Sequence, residues 1–294
     1  MANRLIYHMP RVRHQLGELM RIGSQGYRVR GYLANRQATT LGHEPHLLKV
    51  LSRAMAARTG PVLDVGVNTG QTLLKVLSID PSRPYIGFEP QVGCCFCLGQ
   101  FLEDNNLSQA QIVPVALSDR DGMIQLHGAG AFDEMASTRP RPGTQAHWVA
   151  ARIGDHVLAE LGVPQPGVIK IDVEGAELEV LSGMRDTLAR AHPVVFFEVL
   201  PNFKGDDRVP LPPTTCAHNN ARAAQILSFF EQLGYRLQQI AKDGTCRSIK
   251  AFSLDDRAGF TSRDYVAWPP LDAPATTQAN QGSAMNVSLV AREA

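Results

Sequence analysis

The sequence predicts an α/β fold, a mostly parallel sheet with helices on both faces, and three observations predict it. An apolar strand at 61–66 breaks into a glycine-spaced turn and runs on into a helical pattern. Strand and helix patterns then alternate as βαβαβ between residues 61 and 116, which implies parallel pairing through right-handed crossovers. Further on, Tyr235–Ile240, an Asp243-Gly244 turn and Cys246–Leu254 read as a hairpin that adds an antiparallel strand.

Residues 1–42 read as an N-terminal extension to a domain spanning 43–270. Leu47, Leu48, Leu51 and Met55 recur at helical spacing, so an amphipathic helix at 43–58 precedes the first strand. The next segment is Asp64-Val-Gly66-Val-Asn68-Thr-Gly70-Gln-Thr72. Gly66 and Gly70 lack a Cβ, so the backbone can turn tightly and approach a ligand. The helix at 70–78 aims its unpaired N–H groups and positive dipole end at the same spot. Dinucleotide sites carry G-x-G-x-x-G there. This chain has Asn68 at the middle position, an amide suited to a smaller ligand with a carboxylate and an amine.

A second strand at 84–89 ends on Glu89-Pro90, followed by a helix at 92–105 and a strand at 111–116. Glu89 lies close to the ~20 residues beyond the glycine turn expected of one βαβ unit. It either accepts both hydroxyls of a ribose or supplies negative charge to the helix that Pro90 opens. The rhythm then breaks. Asp121-Gly122 turns into a short strand, Met123–His127, and residues 128–146 read as a long loop, either an acceptor-site lid or a disordered segment.

Alternation resumes with a strand at 167–172, a helix at 175–190 and a strand at 194–199. The run Ile169-Lys-Ile-Asp172-Val-Glu174-Gly-Ala-Glu177 delivers three carboxylates into one turn. Ligands of open α/β sheets sit beyond the carboxyl ends of the strands, so Asp172 is expected in the cleft bordered by Gly66 and Glu89. Glu174 and Glu177 suit the first turn of the following helix. A Pro-rich connector at 209–213 leads into a helix at 219–233, whose Ala224, Leu227, Phe230 and Leu233 form a core stripe. Residues 271–294 read as a disordered tail.

Composition narrows the class. With 294 residues, 44% apolar and 19% charged, the chain can build one large core. A net charge of +1 argues against nucleic acid as a partner, although the Arg4–Arg36 stretch is locally basic. No apolar run approaches the ~18 residues of a membrane span, and the N-terminus lacks a signal-peptide core, so a cytoplasmic location is expected. Of five cysteines, Cys94, Cys95 and Cys97 fall on different faces of one helix and cannot share a tetrahedral metal; no metal site is predicted.

Taken together, Asp64-Val-Gly-x-Asn-x-Gly70, Gly87-Phe-Glu-Pro90, Ala116-Leu-Ser-Asp119, Ile169–Glu177 and Phe197-Glu198 resemble, in order and spacing, the motifs of FkbM-type methyltransferases. Val67 departs from the small alanine more common there, and Trp148–Asp155 is a loose version of the family's segment. The resemblance implies a Rossmann-like class I fold with a seven-stranded sheet and methyl transfer from S-adenosylmethionine to a hydroxyl oxygen. The acceptor it implies is a small molecule, a sugar or glycan, or a polyketide-type product. By position it puts Asp64, Gly66, Asn68, Gly70 and Thr72 around the methionine moiety, Glu89 at the ribose, and Ala116, Leu117 and Asp119 at the adenine edge.

A base within reach of the hydroxyl would assist transfer. Asp172 is one candidate, directly or through a divalent cation; His127, His147, His156 and His218 are others, with His147 beside Trp148 placed first. A homodimer is left open. The competing readings are a nucleotide-dependent oxidoreductase on the same sheet and a methyltransferase relative that binds cofactor without turnover.

Overall fold

A computed structural model describes residues 18–30, 44–130, 133, 135–140, 143–163, 165–204, 209–255, 263–271 and 273. Its first element is a hairpin of β1 (Glu18–Ile22) and β2 (Gln25–Val29), inside the stretch read as an extension. Ile22, Tyr27 and Val29 of the hairpin are buried. The side-chain amide of Asn105 clamps it, accepting from Arg28 N at 2.6 Å and donating to Arg28 O at 2.8 Å.

Helix α1 (Pro45–Ala57) buries Leu47, Val50, Leu51, Ala54 and Met55, the 3.6-residue spacing of a single apolar stripe. Then come β3 (Val62–Val65), α2 (Gln71–Ile79), β4 (Tyr85–Phe88), α3 (Val92–Asp104) and β5 (Ala110–Val113). These are the expected alternating elements, within a residue or two. The strand expected at 111–116 stops earlier because Pro114 has no N–H to continue the ladder. Residues beyond it form β6 (Ala116–Ser118), which joins β7 (Gly122–Gly128) and β8 (Gln145–Ile153) in a separate three-stranded sheet of order β6-β8-β7.

After α4 (Gly154–Glu160) and β9 (Val168–Ile171), the helix expected at 175–190 is two short helices, α5 (Glu177–Gly183) and α6 (Arg185–Ala191), broken at Met184. Strand β10 (Val194–Glu198), the two-residue pair β11 (Phe203–Lys204) and β12 (Val209–Pro210), α7 (Pro213–Gln232), β13 (Arg236–Ile240), β14 (Cys246–Ser248) and β15 (Asp264–Trp268) complete the chain. Helix α7 starts six residues before the expected 219 because Pro213 suits a first helical turn.

The main sheet runs β14-β13-β15-β10-β9-β3-β4-β5. Strands β10, β9, β3, β4 and β5 pair in parallel, and β15 runs antiparallel between β10 and β13. This is the Rossmann-like class I arrangement with two differences from expectation. The sheet has eight strands, and the inserted antiparallel strand is β15, which was not foreseen; β14 is a three-residue edge strand.

Strand residues alternate between two cores. Leu63, Val65, Ile169, Ile171, Val195 and Phe197 pack against α4 to α7. Val62, Tyr85, Val168, Val194, Phe196 and Val266 pack against α1 to α3 and the hairpin. By the same period-2 rule Asp64 and Lys170 point to the α1–α3 side, where they sit as Cα partners on adjacent strands. The tail expected past about 270 lies outside the described residues, apart from 271 and 273. No helix among the described residues is long and apolar enough to cross a membrane.

Candidate active site

The carboxyl ends of β3, β4, β9 and β10 open onto a cleft of about 830 Å³, bordered also by the β6-β8-β7 sheet. Of the residues expected there, Gly66, Asn68, Thr72, Glu89, Ala116, Leu117, Asp119 and Asp172 line it. Gly70 stands behind the lining as the left-handed N-cap of α2, with φ 86°.

The turn after β3 is held by its neighbours as much as by any ligand. At Gly66, with φ 87°, a Cβ would lie 1.9 Å from the carbonyl oxygen of Asp172, so glycine is needed where the turns after β3 and β9 touch. The close approach foreseen for a ligand is therefore made, at this residue, to backbone. Asn68 is also left-handed, at φ 50°. Its N–H donates to Glu89 Oε2 at 2.7 Å, and Gln91 N–H donates to Glu89 Oε1 at 2.8 Å. Burial pushes the Glu89 carboxyl up, against these two bonds.

Asp64 does not reach the cleft. It is fully buried beneath the turn, where Tyr85 Oη donates to its Oδ2 at 2.5 Å. Gly87 keeps that path open, since a Cβ there would sit 2.4 Å from Val67 Cγ2 and 3.2 Å from Tyr85 Cε1. Burial pushes the Asp64 carboxyl up to about 6, although Lys170 and the Tyr85 hydroxyl oppose it. Lys170 itself stays charged: burial works against it, but Asp172 and Asp64 outweigh burial and hold its pKa above the ordinary lysine range.

At the end of β9, Lys170 Nζ donates to Asp172 Oδ2 at 2.8 Å. Asp172, Glu174 and Glu198 each present an oxygen within 4.8 Å of the others. Lys170 and Arg263, the latter 3.6 Å from Glu198, supply protein counter-charge to this trio. Burial, then the nearby carboxylates of Asp172 and Glu174, push the Glu198 carboxyl well above its usual range. Glu177 faces inward to accept the Gly175 N–H at 2.9 Å, the helix-start role foreseen for it.

His147 is not brought to the cleft. It is exposed and outside the lining, whereas its strand neighbour Trp148, itself largely exposed, lines the cleft. His127 lines the cleft, His156 bonds Asp121 at 3.0 Å, and His218 is exposed. Residues not foreseen include Gln91, Lys170 and Asp133. The side chain of Gln91 pairs with both main-chain groups of Asp133, at 3.1 Å each, and Asn68 Nδ2 donates to the same carbonyl at 3.3 Å. A lysine inside the otherwise apolar run Val168–Ile171 was the available signal for Lys170.

A family model, the methyltransferase FkbM domain, matches residues 64–237. The chain belongs to this methyltransferase family. A curated relative, 2-O-methyltransferase NoeI of Sinorhizobium fredii, is 27% identical over 145 residues, covering 44% of this chain and 59% of the relative. Among solved structures, methyltransferase FkbM from Methylobacillus flagellatus is similar at a TM-score of 0.42 and 14% identity, covering 71% of this chain and 44% of that one. A SAM-dependent O-methyltransferase from Thermotoga maritima is similar at 0.38 and 11%, covering 87% and 78%. The chain thus spans about three-fifths of the curated relative and less than half of the first of these structures.

The methyltransferase cleft has donors and acceptors suited to an adenosyl amino acid. Asn68 Oδ1 is buried without a hydrogen-bond partner in a cleft-lining residue, a place for an amine or hydroxyl. Each Glu89 oxygen accepts one backbone N–H, and a carboxylate has about four acceptor sites, so acceptor capacity suited to a ribose hydroxyl remains.

Proposed function

We propose that this methyltransferase uses S-adenosylmethionine to methylate a hydroxyl oxygen of a small molecule or glycan. The observation that carries this reading is one cleft bordered both by the Asn68–Glu89 turn and by the Asp172–Glu198 carboxylates. When bound, the cofactor supplies a methyl group on positively charged sulfur. Glu89 would hold the ribose, Asn68 the amino-acid end, and Ala116, Leu117 and Asp119 the adenine edge.

Asp172 would hold the acceptor hydroxyl and take its proton when the cofactor gives up its methyl group from sulfur and is left as S-adenosylhomocysteine. Lys170 anchors Oδ2 of Asp172, which leaves Oδ1 to receive that proton in a fixed orientation. Such alignment and exclusion of water are the main demands, because the methyl group is already activated. The name of the relative, a 2-O-methyltransferase, supports oxygen as the acceptor atom.

Calorimetric titration of S-adenosylhomocysteine and NAD into the wild type and Glu89→Ala, with thermal melts to confirm that the variant folds, tests the reading. Binding of the homocysteine ligand, weakened at least about tenfold in the variant, is expected for loss of one or two charge-assisted bonds. Binding of NAD alone would favour the oxidoreductase, and binding of neither would remove the cofactor role of this cleft.

A further inference from the structure

The β7–β8 wall of the cleft carries an uncovered apolar surface. Trp148 on β8 is 64% exposed and Met123 on β7 is 58% exposed, yet both line the cleft. In the β7–β8 ladder Trp148 pairs with Gln125 and Ala150 pairs with Met123, so all four side chains share one face. Large exposed apolar side chains gathered at a cleft mark a binding surface. An indole beside a primary amide suits a ring with a C–H face and hydroxyls around its edge: the ring stacks, and the amide bonds a hydroxyl.

The charges of the cleft limit what that ring can carry. Among the described residues, eight carboxylates line it against four lysines and arginines. Three of those cations already face carboxylates: Lys75 with Glu44 at 3.2 Å, Lys170 with Asp172 at 2.8 Å and Arg263 with Glu198 at 3.6 Å. Arg120 is left among the described lining residues to meet a phosphate. A diphosphate needs several free donors or cations, and here it would meet an excess of negative charge.

Resting on the reading of the cleft as an O-methylation site, we propose that the acceptor is an uncharged hydroxylated ring that lays its apolar face on Trp148. The same ring activated as a nucleoside diphosphate is excluded. Methylation then follows the glycosyl transfer that removes the diphosphate, rather than preceding it.

Calorimetry on the wild type, Trp148→Ala and Trp148→Phe, each first saturated with S-adenosylhomocysteine, tests this. The probes are methyl hexopyranosides of several configurations and the nucleoside diphosphate forms of the same sugars. At least one neutral glycoside should bind, about tenfold more weakly in the alanine variant and within about threefold of wild type in the phenylalanine variant. Its nucleoside diphosphate form should bind at least about tenfold more weakly. In Trp268→Phe, Trp148 is the sole tryptophan of the chain, and its emission should change on addition of that glycoside.

Equal or tighter binding of the nucleoside diphosphate form, no binding of any neutral glycoside, or binding indifferent to Trp148→Ala would overturn the proposal. The saturation step separates the two levels. Failure of S-adenosylhomocysteine to bind removes the methyltransferase reading of the cleft, whereas its normal binding with any of those three results removes only the platform.

Discussion

Replacing Asp64 by asparagine should make the protein gain stability over the wild type as pH rises through the mildly acidic range. Asp64 lies wholly buried on β3, and burial lifts its carboxyl from an ordinary 3.8 to about 6. Across that interval the folded state keeps a proton that the unfolded state has released. Wild-type stability therefore falls as pH rises through the interval and levels off above it. At about 1.4 kcal/mol per pH unit, the interval amounts to about 3 kcal/mol. Asparagine does not titrate, and its amide oxygen can still accept the Tyr85 hydroxyl. The stability difference between variant and wild type should thus climb by about 3 kcal/mol between pH 4 and 7. Urea unfolding of both proteins at half-unit pH steps, with m-values compared to confirm the same transition, reads this directly. A flat difference, or one that falls with pH, would mean that attraction to Lys170 outweighs burial and would refute the reasoning.

Two further substitutions probe the same framework. Tyr85→Phe removes the hydroxyl that donates to Asp64 Oδ2, and since Oδ1 already lacks a partner, a loss of about 1–3 kcal/mol is expected in thermal or urea unfolding. Gly183→Ala would place a Cβ 1.9 Å from the carbonyl oxygen of Ser118, between α5 and β6. It should cost about 3 kcal/mol or displace β6, and in the second case S-adenosylhomocysteine affinity falls with it; unchanged stability and affinity would show that the two elements do not pack this closely.

The cleft proposed to hold the cofactor was largely legible in the sequence. Its residues come from short strand-to-turn segments, and a turn advertises itself through glycine spacing and a strand end through the acid that follows an apolar run. Asn68, Glu89 and Asp172 were found in this way, and all three line the cleft. The proposed acceptor side was not legible. Trp148 and His147 are adjacent in the sequence and both exposed, and only the folded β7–β8 hairpin puts the first, and not the second, on the cleft wall. Asp64 belongs to the most informative motif, and the alternation of β3 turns its side chain beneath the turn and toward Tyr85.

By itself the sequence determined that the chain alternates strands and helices, where the main turns lie, and which acids stand at strand ends. These are local properties, set by side-chain periodicity and by the backbone preferences of glycine and proline. Tertiary structure alone decided that β15 is inserted between β10 and β13, that Asp64 faces Lys170 across two strands, and that Gly66 must be glycine because Asp172 backbone lies against it. Each depends on which distant segments become neighbours in the sheet. That choice minimises exposed apolar surface over the whole core, and no single window of sequence contains it.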